Sequence, residues 1–147
     1  MLVELENKLH DEIPLTKFMQ LKINKITKKH LITSAPLKPN INDKLTGFAG
    51  SLSTIVTISA WSVCYLKVKE IVGLENSMIA IIKSNISYRA PVTKDFTCIT
   101  TLPDEKEIYK LKEKLELKKS ASIRIKSQII EKETVCVDFE GIYVIKI

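Results

Sequence analysis

A chain of 147 residues with 45% apolar and 27% charged side chains can bury one sizeable core, and residues 1–147 are expected to form a single domain. Its formal charge of +6 would suit a polyanionic ligand, but the lysines are scattered among acids with no recognised binding motif beside them, so nucleic acid is not an expected partner. Cys64, Cys98 and Cys136 are odd in number, widely spaced and set among apolar neighbours, and neither His10 nor His30 has a ligand-like partner nearby, so no disulfide framework, metal or separate cofactor is expected.

The first residues mix charge into every turn and offer no apolar stretch before a cleavage site, which reads as a cytoplasmic chain. Leu5, Leu9 and Ile13 recur at steps of four, predicting a helix over residues 3–13 that Pro14 ends. Alternating apolar residues over 17–35, around a polar tip at Lys28, Lys29 and His30, predict a hairpin. Residues 36–47, rich in Pro, Asn, Asp and Gly, form a loop.

Between Lys44 and Lys67 there are 22 residues without charge. Such a run raises the possibility of a membrane span, but seven of its residues are Ser or Thr, two are Gly, and strand-like segments follow. The better reading is a helix over about 50–69, buried on nearly all sides because a sheet wraps around it. Strands are predicted over 79–88 and 95–102, with Pro91 at a strand end. Asp104 can cap a surface helix whose Ile108, Leu111 and Leu115 share one face. Strict alternation of Ile123, Ile125, Ser127 and Ile129 against Arg124, Lys126 and Gln128 marks a strand, and residues 134–147 return as its partner after a polar turn.

Several separated segments carry a resemblance. The run PNINDKLTGFAGSLSTIVTISAW resembles the loop and central helix of hot-dog acyl thioesterases, SYRAPVTKDFTC looks like the strand and turn that follow, and FEGIYVIKI resembles the closing strand. The likeness covers nearly the whole chain and is closest to the thioesterase family of YiiD C-terminal domains. It implies an α+β hot-dog fold: a curved antiparallel sheet around a long central helix, here with a leading helix and an added surface helix. It also implies a homo-oligomer, at least a dimer, whose substrate is an acyl group carried by coenzyme A or by a carrier protein.

The candidate chemistry sits at the start of the uncharged helix. Its first turn exposes unpaired N–H groups at the positive end of the helix dipole, so the amides of Ala49, Gly50 and Ser51 are candidate donors to a thioester oxygen as it gains charge. Tight entry to the helix, with Ser51 as a cap, is the duller role for the same residues. Asn42, eight residues before Gly50, matches an Asn that enzymes similar to the phenylacetyl-CoA type use to hold the attacking water or the thioester; an Asx-turn within the loop is the alternative for Asn40 and Asn42 alike.

Where those enzymes place an Asp or Glu as general base, this chain has Thr57, which can orient water but cannot take its proton near neutral pH. Asp43 is the nearest acid in sequence, and an acid from a second subunit is the other option. The hydroxyls of the helix have no histidine in residues 31–147 to activate them, and are expected to bond back to helix carbonyls. Tyr88, Arg89 and Lys94 bracket Pro91 near where hot-dog relatives place the coenzyme A entrance. The functional expectation is thioester hydrolysis by water. A non-catalytic acyl-carrying module is the rival, made credible by Thr57, and a dehydratase is disfavoured by the missing histidine.

Overall fold

The computed structural model describes residues 1–73 and 75–147. Helix α1 (Leu2–Glu12) buries Leu5 and Leu9, as their spacing requires. Pro14 does not simply end the helical region. It occupies the first turn of a second short helix, α2 (Pro14–Phe18), where its missing N–H costs nothing. The hairpin is therefore shorter than expected, with β1 (Lys22–Ile26) and β2 (His30–Ala35).

A loop with one 3-10 turn at Lys38–Asn40 leads to α3 (Ala49–Ile71), followed by β3 (Met78–Tyr88), β4 (Phe96–Thr101), α4 (Glu105–Lys118), β5 (Ser120–Glu131) and β6 (Thr134–Lys146). The described strands form one curved antiparallel sheet in the order β1-β2-β4-β5-β6-β3. The Asp104 cap is as predicted: its side chain accepts from the Glu107 N–H at 2.8 Å while Glu107 Oε1 accepts from the Asp104 N–H at 3.2 Å.

The alternation along β5 and β6 turns one face of the sheet inward. Ile125, Ile129, Phe139, Tyr143 and Ile145 are at most 2% exposed, whereas Arg124 and Lys126 point to solvent. Helix α3 lies on the inward face and packs against β2, β3, β4, β5 and β6. By length and composition it could cross a membrane, but half of its apolar window is buried inside this fold. Between helix and sheet lie two buried hydroxyl pairs, Thr33–Ser59 and Thr100–Ser127, each at 2.7 Å. Ser59 thus departs from the expectation of bonding back to its own helix, whereas Thr54 follows it, donating to Gly50 O; Ser62, further along, likewise donates to Ile58 O. All three cysteines are buried and free, and burial pushes the Cys64 thiol up to about 12.

The wrapping of α3 is incomplete. Strand β3 ends the sheet, no strand among the described residues pairs beyond it, and the α3 flank formed by Thr54, Thr57, Ile58, Trp61 and Tyr65 stays half-exposed. Trp61 fixes that flank to the edge by donating its indole N–H to Ile79 O at 3.2 Å.

Candidate active site

Helix α3 begins without a side-chain cap and with no acid in its first turn; its N-cap is Phe48, in extended backbone. The first bond into the helix is Leu52 N–H to Phe48 O at 3.0 Å, which leaves the amides of Ala49, Gly50 and Ser51 without an intrahelical acceptor. Ala49 and Gly50 are exposed and Ser51 is half-buried. Ser51 is the third helical residue, so its alternative role as cap does not apply. The uncompensated end of a 23-residue helix concentrates positive potential on these amides. Gly50 has no side chain where a Cβ would come within 2.3 Å of the Phe48 ring, so the absence of a side chain lets that ring lie over the first turn.

The loop before α3 is built by two asparagines with different tasks. Asn40, 2% exposed, ties the loop to the body by donating from Nδ2 to Met19 O at 2.9 Å and Pro36 O at 2.7 Å. Its backbone carbonyl accepts the Phe48 N–H at 2.8 Å, which fixes the entry to α3. Asn42 makes the Asx-turn: Oδ1 accepts from Lys44 N and Thr46 N at 2.9 and 3.1 Å, and from Thr46 Oγ1 at 3.2 Å. Its Nδ2 reaches Thr46 Oγ1 at 3.0 Å and Gly47 O at 3.4 Å. The amide expected to hold water or thioester is therefore committed to its own loop, because a carboxamide has only two donors and two lone pairs on its oxygen. Asp43 is exposed beside it at the loop tip.

The segment following β3 comes to the same end of the sheet. Gly47 donates its N–H to Val92 O at 2.8 Å, and a Cβ at Gly47 would meet Val92 Cβ at 3.1 Å, so the two loops touch through a glycine. Tyr88 ends the edge strand and is half-exposed. Arg89 does not present an open fork to a phosphate: its Nη2 lies 2.9 Å from Asp138 Oδ2. Thr57 stands two turns into α3 on the open flank, its carbonyl accepting the buried Tyr143 hydroxyl at 2.7 Å. The loop of residues 40–47 and the segment from Val92 thus meet before the start of α3, through Phe48 N–H to Asn40 O and Gly47 N–H to Val92 O, and Thr57 lies two turns further along the helix.

One residue was missed by sequence reasoning. Glu131, at the end of β5, accepts from Thr93 N at 2.9 Å, Thr93 Oγ1 at 2.7 Å and Lys94 N at 3.2 Å, and so pins the loop that leans on Gly47. These bonds, the Thr93 hydroxyl first, hold its carboxyl below the usual range. A lowered folded-state pKa contributes stability that is complete above the ordinary value of 4.5 and is lost as pH falls from there through the lowered one. Glu131→Ala should therefore lower Tm at pH 7, make the 91–95 loop more sensitive to protease, and remove that acid-side portion of the pH–Tm profile. Melts of both proteins between pH 3 and 7 check it: parallel curves would show that Glu131 does not hold the loop.

A curved antiparallel sheet around one long central helix defines the hot-dog class. The chain belongs to the YiiD C-terminal family, whose model, described as "Putative thioesterase (yiiD_Cterm)", matches residues 2–147. A crystal structure of a protein of unknown function from Chlorobaculum tepidum is similar at 34% identity and TM-score 0.90, covering 97% of this chain and 92% of that one. A protein from Shewanella oneidensis described as a "putative thioesterase" is similar at 31% identity and TM-score 0.85, with 97% and 95% covered. A Pseudomonas aeruginosa protein described as a "Probable Thioesterase" shares the fold at 15% identity and TM-score 0.75, over 99% of this chain and 96% of that one. Family and fold together support acyl thioester hydrolysis as the general activity.

Proposed function

We propose that this chain hydrolyses acyl thioesters of coenzyme A or a carrier protein, with the thioester oxygen over the start of α3. The observation that carries this is the uncapped first turn, whose Ala49, Gly50 and Ser51 amides have no competing side chain. Donors fixed in place before the reaction stabilise the developing oxyanion without having to reorganise. The acyl chain runs along the open flank past Thr57, Ile58 and Trp61, and a second copy closes that flank by adding its edge at β3. Exposed Ile81, Ile82 and Tyr88 on β3 support this, since β3 is the last strand of the sheet and its outer backbone edge is free for pairing.

Water attacks the carbonyl carbon as Asp43 takes its proton; the tetrahedral oxyanion then collapses, the C–S bond breaks, and the thiolate leaves with the proton returned by Asp43, giving the carboxylic acid and free thiol. Arg89 and Lys94 stand at the mouth for the phosphates, with Arg89 leaving Asp138 to do so; an exposed pair of this kind is worth only ~0–1 kcal/mol. Asp43→Asn, an exposed and isosteric change, should lower kcat by about 10²-fold with Tm unchanged. Release of free thiol from acyl-CoAs of increasing length reads it out. An unaltered rate would move the base to the second subunit.

A second reading, a non-catalytic acyl-carrying module, is favoured by Thr57 in place of an acid and by the committed Asn42 amide. Saturable binding of acyl-CoA without thiol release at any chain length would establish it.

A further inference from the structure

The far end of α3 carries a second feature. Lys67 lies 18 residues after Ala49, ~27 Å along the helix axis. There the β1–β2 hairpin tip, the start of α4 and the C-terminal part of α3 line an open cleft of about 790 Å³. That volume falls within the range of small-molecule sites, roughly 300–1,000 Å³. Its floor is apolar, formed by the half-buried Leu102, Pro103 and Ile108, with exposed Tyr109 at the rim. Its rim is cationic, with Lys28, Lys29, Lys67 and Lys112.

The two acids on the rim do not balance this. Asp104 and Glu105 are both exposed at the cleft, Asp104 also accepting the Glu107 N–H at 2.8 Å, so that four lysines outnumber two acids. Lys67, whose side chain is only 18% exposed, is held at the wall with Glu70 at 3.4 Å. The walls are fixed as well: Leu102 N–H donates to Lys29 O at 2.8 Å, and His30 pairs with Thr101 across β2 and β4.

We propose that this cleft binds a single anionic amphiphile, a medium-length alkyl chain with a carboxylate or phosphate head, independently of the site at the start of α3. The apolar floor takes the chain, at ~25 cal/mol per Å² of apolar surface buried, and the lysines take the head. An open groove of this volume between three elements has room for one chain.

The test titrates the full chain calorimetrically with decanoate, decyl phosphate and decyltrimethylammonium below their micelle concentrations, and separately with anionic phosphatidylglycerol vesicles. Decanoate and decyl phosphate should bind saturably, with affinity falling as salt rises, and the cationic amphiphile at least 10-fold more weakly. The charge-reversal pair Lys29→Glu and Lys112→Glu, both on exposed side chains, should weaken decanoate at least 10-fold while Lys22→Glu at the opposite end leaves it unchanged. Should the pair melt early, Tyr109→Ala on the exposed rim must give the same loss. Equal binding of the cation, unchanged binding in both sets of variants, or binding to vesicles alone would each overturn the proposal. Thiol release plays no part in this readout, so failure of the hydrolytic assignment would leave it standing.

Discussion

Ala49→Pro should lower kcat for thioester hydrolysis by about 10²-fold while the protein folds as before. The substitution removes one N–H from the first turn of α3, and loss of a single oxyanion donor typically costs ~10²–10³ in rate. Proline is well tolerated at this place. Phe48 before it sits at φ −66°, ψ 128°, the extended basin that a following proline demands, and the Ala49 amide has no acceptor within the helix. Tm should hold or rise slightly, because proline restricts the unfolded chain. Steady-state thiol release beside a thermal melt separates the two effects. Full activity in a folded Ala49→Pro protein would exclude this amide and shift the oxyanion contact to Gly50 and Ser51 or away from the helix altogether.

Ile55→Ala should have the opposite profile, a large loss of stability with little change in kcat at temperatures where the protein stays folded. Ile55 is 0% exposed on the buried side of α3. Truncating a core isoleucine to alanine costs ~2–5 kcal/mol, from lost transfer energy and the cavity left behind. Against a total stability of ~5–15 kcal/mol that is a substantial fraction. For a domain of this size, ~3 kcal/mol corresponds to roughly 10 °C in Tm. A melt that hardly moved would mean that α3 is not the rod on which the sheet is packed.

The two variants act six residues apart on one helix, yet only one of the two positions is informative by type alone. Ile55 belongs to an uncharged run whose length and lack of polar periodicity announce a buried helix before any coordinates exist. Ala49 gains meaning only once the helix start is known, because a boundary shifted by one residue changes which amides are unpaired. The expected start at about residue 50 differs from the observed Ala49 by that much. The Pro14 helix was lost for a related reason: proline both stops one helix and starts another, and the sequence pattern cannot separate these outcomes.

Local periodicity determined most of this molecule: the leading helix, the hairpin, the central rod, the capped surface helix and the long closing pair are each written in residues close together in the chain. The folded sheet decided what depends on distant partners. Glu131 meets Thr93 across 38 positions and Ser127 meets Thr100 across 27, and no short-range pattern encodes either contact. The same holds for the open flank of α3, which exists because β3 is the last strand of the sheet. Strand order is fixed by which inward faces bury the most apolar surface together, a property of the whole core that no single segment carries.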